Sequence, residues 1–241
     1  RDFVEESNLQ RQHLFDESDI GQPKALKAKD HLLKVNSTLT VHSHIDDLNF
    51  RTIDTLLKDA DIIVDGTDNL ETRHLINEYS MKHHVPWVYG SAISDRGFVG
   101  VFLGKQPCFR CFSATHPTQE TCDTVGVLNS ITTLIGSLQA QATIDLLLGK
   151  TTTPIIHINL HHYTFLTLQL IKNPRCEVCL GSYPFLSGKN HQSIIKICSS
   201  GPYQILALPS FNLKSIKKRL AKVGRVVDLR YCLVFKNMKI F

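Results

Sequence analysis

The chain has 241 residues, 42% of them hydrophobic, enough for a substantial core. Its net charge of +5 comes from scattered lysines, and the cluster at Lys214, Lys217, Lys218, Arg219 and Lys222 reads as the solvated side of a helix, so no nucleic-acid partner is expected. No apolar run approaches the ~20 residues that span a bilayer, and the start at Arg1-Asp2 has no signal pattern, so we expect a cytoplasmic protein with no membrane partner.

In chain order, Pro23 suits the first helical position, and Ala25, Ala28, Leu32 and Val35 recur at helical spacing behind it. Leu39 to His42 reads as a short strand and Asn49 to Lys58 as a helix. Ile62-Ile63-Val64 is β-branched and apolar, as in a buried parallel strand, and ends at the loop Asp65-Gly66-Thr67-Asp68-Asn69. A helix over Glu71 to His83 and strands at Pro86 to Gly90 and Phe98 to Phe102 follow. Residues 104–130 show no clear periodicity and read as one long loop, which points to a site.

Leu134, Leu138, Ala142 and Leu146 then step by four along a helix that stops at Gly149. Ile155 to Leu160 and Thr164 to Leu170 read as a hairpin, residues 182–192 as a linker, and residues 193–241 as a small α+β unit with a helix over Leu213 to Val223. The alternation of strands and helices predicts an α/β fold with a Rossmann-like, mostly parallel sheet and helices on both faces. Ligands in such sheets sit beyond the carboxyl ends of the strands, where the Asp65–Asn69 loop falls.

Two C-x-x-C pairs supply Cys108, Cys111, Cys176 and Cys179, a closed tetrahedral set for one structural Zn²⁺. Sixty-four residues separate Cys111 from Cys176, too many for a zinc ribbon. A redox dithiol needs a helix N-terminus behind the cysteine, and none is legible after Cys111. Elsewhere, Lys24 in a first helical turn opposes the helix dipole and makes better sense with an anion beside it.

These segments together resemble the ThiF/MoeB/HesA family, relatives of the ubiquitin-activating enzymes, from Asp2 to about Leu180. The resemblance rests on SNLQRQ (7–12), GQPKA (21–25), DGTDN with Arg73 (65–73), the strands PWVYGSA and GFVGVF, TCDTVGV (121–127), LIGSLQA (134–140) and both cysteine pairs. It implies an ATP-binding adenylation domain over 1–181 and a C-terminal unit over 193–241. The implied reaction is ATP- and Mg²⁺-dependent adenylation of the C-terminal glycine of a ubiquitin-like sulphur carrier of ThiS or MoaD type, in thiamine or molybdopterin synthesis.

Carried over by motif, Asn8, Arg11 and Lys24 contact phosphate and Asp68 with Asn69 serves the Mg²⁺-nucleotide; Cys122 stands where some family members link a cysteine covalently to the carrier, and reads equally as a partly exposed loop thiol. A homodimer and a sulphur-donor protein are the further implied partners. The family's glycine-rich loop and ribose-binding acid are expected upstream of Arg1, and the sequence stops at Phe241 directly after a strand-like run, so both ends read as cut. Two other readings stand beside this one. A dinucleotide oxidoreductase would need a glycine fingerprint and would leave Arg11, Lys24 and Asp68 without a role. A non-catalytic scaffold that binds the same carrier would have no need to keep them.

Overall fold

β-Branched and aromatic side chains favour extended backbone, and every strand of the main sheet is rich in them. In the computed structural model, β1 (Ile63–Val64) runs parallel to β2 (Trp87–Ile93), with Ile63 opposite Trp87. β3 (Arg96–Phe102) returns antiparallel to β2, from Trp87 opposite Phe102 to Ile93 opposite Arg96. β4 (Ile155–Asn159) and β5 (Thr164–Leu168) extend the sheet in the order β1-β2-β3-β4-β5. The structure describes residues 2–115, 126–150, 155–190, 194–196, 203–205, 213–222, 224–228 and 233–236.

The α/β, Rossmann-like reading holds, but the described sheet is mixed, with one parallel pair and three antiparallel ones. Short turns join β2 to β3 and β4 to β5, and a short turn can only join antiparallel neighbours.

Alternation along β2 sends side chains to opposite faces. Trp87 and Tyr89 meet Leu75, Ile76 and Tyr79 of α3 (Leu70–His83) and Phe109 and Phe112 of α4 (Phe109–Thr115). On the other face lies α5 (Asn129–Leu147), with Ile131 and Ile135 against Val99 and Ile158, and Ala142 against Val88 and Val101. Helices thus cover both faces. The stripe that α5 buries is Ile131, Ile135, Gln139 and Ala142, offset from the Leu134–Leu138 line, which is only partly buried.

Three further expectations change. The helix at Asn49–Lys58 shrinks to α2 (Ile53–Leu57). Leu39–His42 forms no strand among the described residues. The long loop contains α4, whose first turn is Cys108, Phe109, Cys111 and Phe112, all buried. Arg110 is the one polar side chain among residues 108–112 and is itself only partly exposed, so no clear polar–apolar period shows there.

The chain divides into two compact units. The first comprises Arg1–Asp47, Ser193–Ile195 and Gln204–Phe241; the second comprises Leu48–Gln192 and Lys196–Tyr203. The first unit holds two short 3-10 turns, Glu6–Asn8 and Glu17–Asp19, and α1 (Lys24–Val35). It also holds α6 (Leu213–Leu220) and the hairpin of β8 (Arg225–Asp228) and β9 (Leu233–Lys236). A short pair, β6 (Ile194–Lys196) with β7 (Tyr203–Ile205), straddles the division. No helix among the described residues is long and apolar enough to cross a membrane.

Candidate functional site

The four cysteines converge from residues far apart in sequence. Cys108 Sγ lies 3.7 Å from Cys176 Sγ and 3.5 Å from Cys179 Sγ, and Cys111 Sγ lies 3.6 Å from Cys179 Sγ. None is in a disulfide, and all four are buried. A Zn–S bond of about 2.3 Å sets the edge of a ZnS₄ tetrahedron at about 3.8 Å, so the donor set fits that ion.

The surroundings hold the thiols in register. Gln106 Nε2 donates to Cys179 O at 2.6 Å, Arg110 pairs with Glu177 at 2.6 Å, and Asn77 Oδ1 accepts from Phe109 N at 2.9 Å. Burial pushes the Cys108 thiol up to about 11 and raises that of Cys179 as well, so a bound cation would have to displace their protons. Contrary to the sequence reading, a helix does follow Cys108; the convergence of both pairs, rather than a missing helix, is what favours metal over a redox dithiol.

The Asp65–Asn69 loop leaves the carboxyl end of β1. Asp65 is buried, and Arg73 Nε donates to its Oδ2 at 2.9 Å, while Thr67 N and Oγ1 donate to its Oδ1 at 2.8 and 2.6 Å. Arg73 Nη2 also donates to Thr67 O and Gly90 O. Asn69 caps α3 by accepting from Thr72 N at 2.7 Å. Asp68 is exposed and makes no hydrogen bond or ion pair among the described residues. Its carboxylate is open to an oxygen-seeking cation such as Mg²⁺, which commonly takes one or two carboxylates and fills its shell with water and phosphate.

In the first unit, Asn8 is buried and its Oδ1 accepts from Glu5 N at 3.3 Å. Arg11 takes its backbone N–H to Asn8 O and donates Nη1 to Ser7 O at 2.8 Å. Lys24 opens α1, and its Nζ meets Asp2 Oδ2 at 2.5 Å. The anion called for by a lysine in a first helical turn is thus supplied by Asp2. In a second group of metal-capable residues, Asp16, Asp19 and His31, the buried Asp19 is already paired with Lys27 at 3.0 Å and with His31 at 2.9 Å. Asn8, Arg11 and Lys24 belong to the first unit, and Asp68, Asn69 and the four cysteines to the second. Cys122 lies outside the described residues.

The grip on Asp65 by Arg73 and the buried amide of Gln139 were not read from sequence. A glutamine inside the apolar stripe of α5 was the available signal.

Residues 1–178 match the model of the ThiF family. The chain is 32% identical over 222 residues to a sulfur carrier protein ThiS adenylyltransferase of Bacillus subtilis, covering 85% of this chain and 63% of that protein. It is 41% identical over 153 residues to an adenylyltransferase and sulfurtransferase MOCS3 of Culex quinquefasciatus, covering 62% of this chain and 35% of that one. With a molybdopterin-synthase adenylyltransferase of Escherichia coli it shares 34% identity over 187 residues, 74% of each chain. Among solved structures, E. coli MccB with ATP superposes with a TM-score of 0.62 at 23% identity, over 74% of this chain and 57% of that one, a likeness of fold. The chain thus spans just under two thirds of one of these relatives and about a third of another. With the family model matched over residues 1–178, the chain belongs to the ThiF family.

Proposed function

We propose that the chain carries the adenylation domain, over residues 1–181, of an enzyme that activates the C-terminal glycine of a ThiS- or MoaD-type sulphur carrier with ATP. The observation that carries this reading is the exposed, uncommitted Asp68 on an otherwise fixed loop at the carboxyl end of β1. Membership of the ThiF family and the named activities of its relatives support it.

The chemistry asks little of acid–base groups. The carrier carboxylate attacks the α-phosphorus of ATP, a carboxylate–phosphorus bond forms, the bond to the β-phosphate oxygen breaks, and pyrophosphate leaves. A carboxylate is already a competent nucleophile, so the protein's part is positioning and charge neutralisation. Asn8, Arg11 and Lys24 supply amide, guanidinium and ammonium donors to phosphate, and Asp68 with Asn69 holds the Mg²⁺-nucleotide. Bound Mg²⁺ would offset charge on the pyrophosphate leaving group. Zn²⁺ on Cys108, Cys111, Cys176 and Cys179 would serve structure, the Cys122 thiolate would form a thioester with the carrier by displacing AMP from its adenylate, and the enzyme would act as a homodimer supplied by a sulphur-donor protein.

ATP–pyrophosphate exchange tests this. With a carrier ending in Gly-Gly, the protein catalyses exchange; Asp68→Ala reduces it by at least about 100-fold, and Cys122→Ala leaves it intact. Loss of exchange in Cys122→Ala would overturn the division of roles.

One observation favours a second reading, a non-catalytic scaffold for the same carrier. Lys24 is held by Asp2, and Arg11 by a carbonyl of its own turn. Carrier binding without exchange would establish that alternative.

A further inference from the structure

The middle of α5 contains a buried polar side chain in a face that otherwise packs apolar groups. Gln139 is 8% exposed and lies between Ile135 and Ala142 in the buried stripe. Its Nε2 donates to Asp65 O at 2.8 Å and to Val88 O at 3.3 Å. Those carbonyls belong to neighbouring parallel segments, which Asp65 N also joins by donating to Val88 O at 2.9 Å. One amide therefore ties the exit of β1 to β2.

The amide reaches that point because residue 90 is glycine. A Cβ there would fall 2.4–2.6 Å from the amide atoms of Gln139. Arg73 grips the same loop from α3, on the opposite face of the sheet, at Asp65 Oδ2, Thr67 O and Gly90 O. The Arg73 guanidinium also lies 5.1 Å from the centroid of the Tyr89 ring. Positions 65, 67 and 69 of the loop are thus fixed, while Asp68 faces solvent and a Cβ at Gly66 would meet nothing within 4 Å.

We infer that Gln139 is a positioning residue that holds the Asp65–Asn69 loop from the sheet face opposite Arg73, and so sets the Asp68 carboxylate for a Mg²⁺-bound nucleotide. The inference rests on the proposed adenylation for its nucleotide, and on the clamp alone for its loop. Removing the donor leaves the Asp65 carbonyl short of its partner, while Val88 O keeps its bond from Asp65 N, and so frees the loop side of the clamp.

The test uses the full chain with Gln139→Met, which keeps length and loses the donor, and Gln139→Glu, which keeps shape and sets a carboxylate against two carbonyls. Amide hydrogen exchange without nucleotide is read at Gly66–Asn69. We expect exchange there about 10-fold faster in both variants, with α3 and the zinc content unchanged. Calorimetric titration with Mg²⁺-ATP should need about 10-fold more Mg²⁺ for half-saturation. In an Asp68→Asn background, Gln139→Met should change nucleotide binding no further, because the carboxylate it positions is gone.

Unchanged protection at Gly66–Asn69, or additive effects in the double variant, would overturn the inference. A general loss of protection across α3 and α5 would also overturn it, by assigning Gln139 to stability alone. If the wild-type chain fails to bind Mg²⁺-ATP, the adenylation reading falls, and the hydrogen-exchange arm still decides the role of Gln139 in the loop.

Discussion

Glu78 is a fully buried carboxyl group on α3, one turn beyond His74. Its Oε2 accepts from Leu186 N at 2.8 Å, and its Oε1 has no hydrogen-bond partner among the described residues. Burial pushes its pKa up to about 7, partly opposed by backbone N–H groups of Leu186 and Phe185 and by Arg110, and reinforced by Glu177. His74, between the rings of Phe109 and Phe185, is driven by burial down to about 4, with Arg110 adding to the effect. The two act with opposite sign. Between pH 4.5 and 7 the folded chain binds more protons at Glu78 than the unfolded chain does, so stability falls as pH rises. Between pH 4 and 6.5 it binds fewer at His74, so stability rises. Above pH 7 the Glu78 cost is complete, up to ~3 kcal/mol. Glu78→Gln should therefore melt close to wild type at pH 4.5 and roughly 5–10 °C higher at pH 8, by calorimetry at both pH values. An equal shift at the two pH values would refute the ionisation account. Glu78 and Gln139 were illegible in sequence because a buried polar group takes its meaning from a distant partner, here Leu186 and Asp65. The cysteines were legible because their spacing alone carries the chemistry.

At the scale of elements, local signals served where the chain itself sets the shape. Pro23 and the spacing of Ala25, Ala28, Leu32 and Val35 located α1, although Val35 is exposed in the structure. The strand at Leu39–His42 failed because extended propensity needs a pairing partner, and none is present among the described residues. The direction of β3 depends on turn length rather than on its apolar content. One junction makes a sharp prediction. Gly104, after β3, has a φ of +65°, and a Cβ there would meet the His84 backbone and Ser80 O at 2.7–2.8 Å. His84 Nδ1 also lies 3.0 Å from Gly104 O. Gly104→Ala should cost roughly 2–4 kcal/mol in urea denaturation, since it combines a left-handed backbone with a contact against main chain that cannot move aside. Gly126→Ala, with φ +71° and nothing within 4 Å, should cost only about 1 kcal/mol.

For the whole molecule, the cysteine cluster draws α4 to the chain that follows β5, with α5, β4 and β5 between them in sequence. Elemental analysis should find one zinc per chain, and Cys176→Ser should lose it. Removing the metal by chelation should cost at least ~3 kcal/mol, read as a lower melting temperature, while exchange persists in protein that remains folded. Loss of exchange before loss of fold would place the metal in the chemistry instead.

The same convergence bears on how the chain is made. Cys108 and Cys111 leave the ribosome with only half a ligand set, and Cys176 follows 65 positions after Cys111. At about 5–20 residues per second, the first pair waits roughly 3–13 s for the second. Within that interval α5, β4 and β5 are synthesised. Capture of the proposed zinc would therefore have to wait for Cys176, and a chain arrested before Cys176 keeps two buried-type thiols exposed to oxidants. Cells short of zinc should accumulate full-length chains whose four thiols are open to oxidation, as protease-sensitive intermediates, even where every element has been translated correctly.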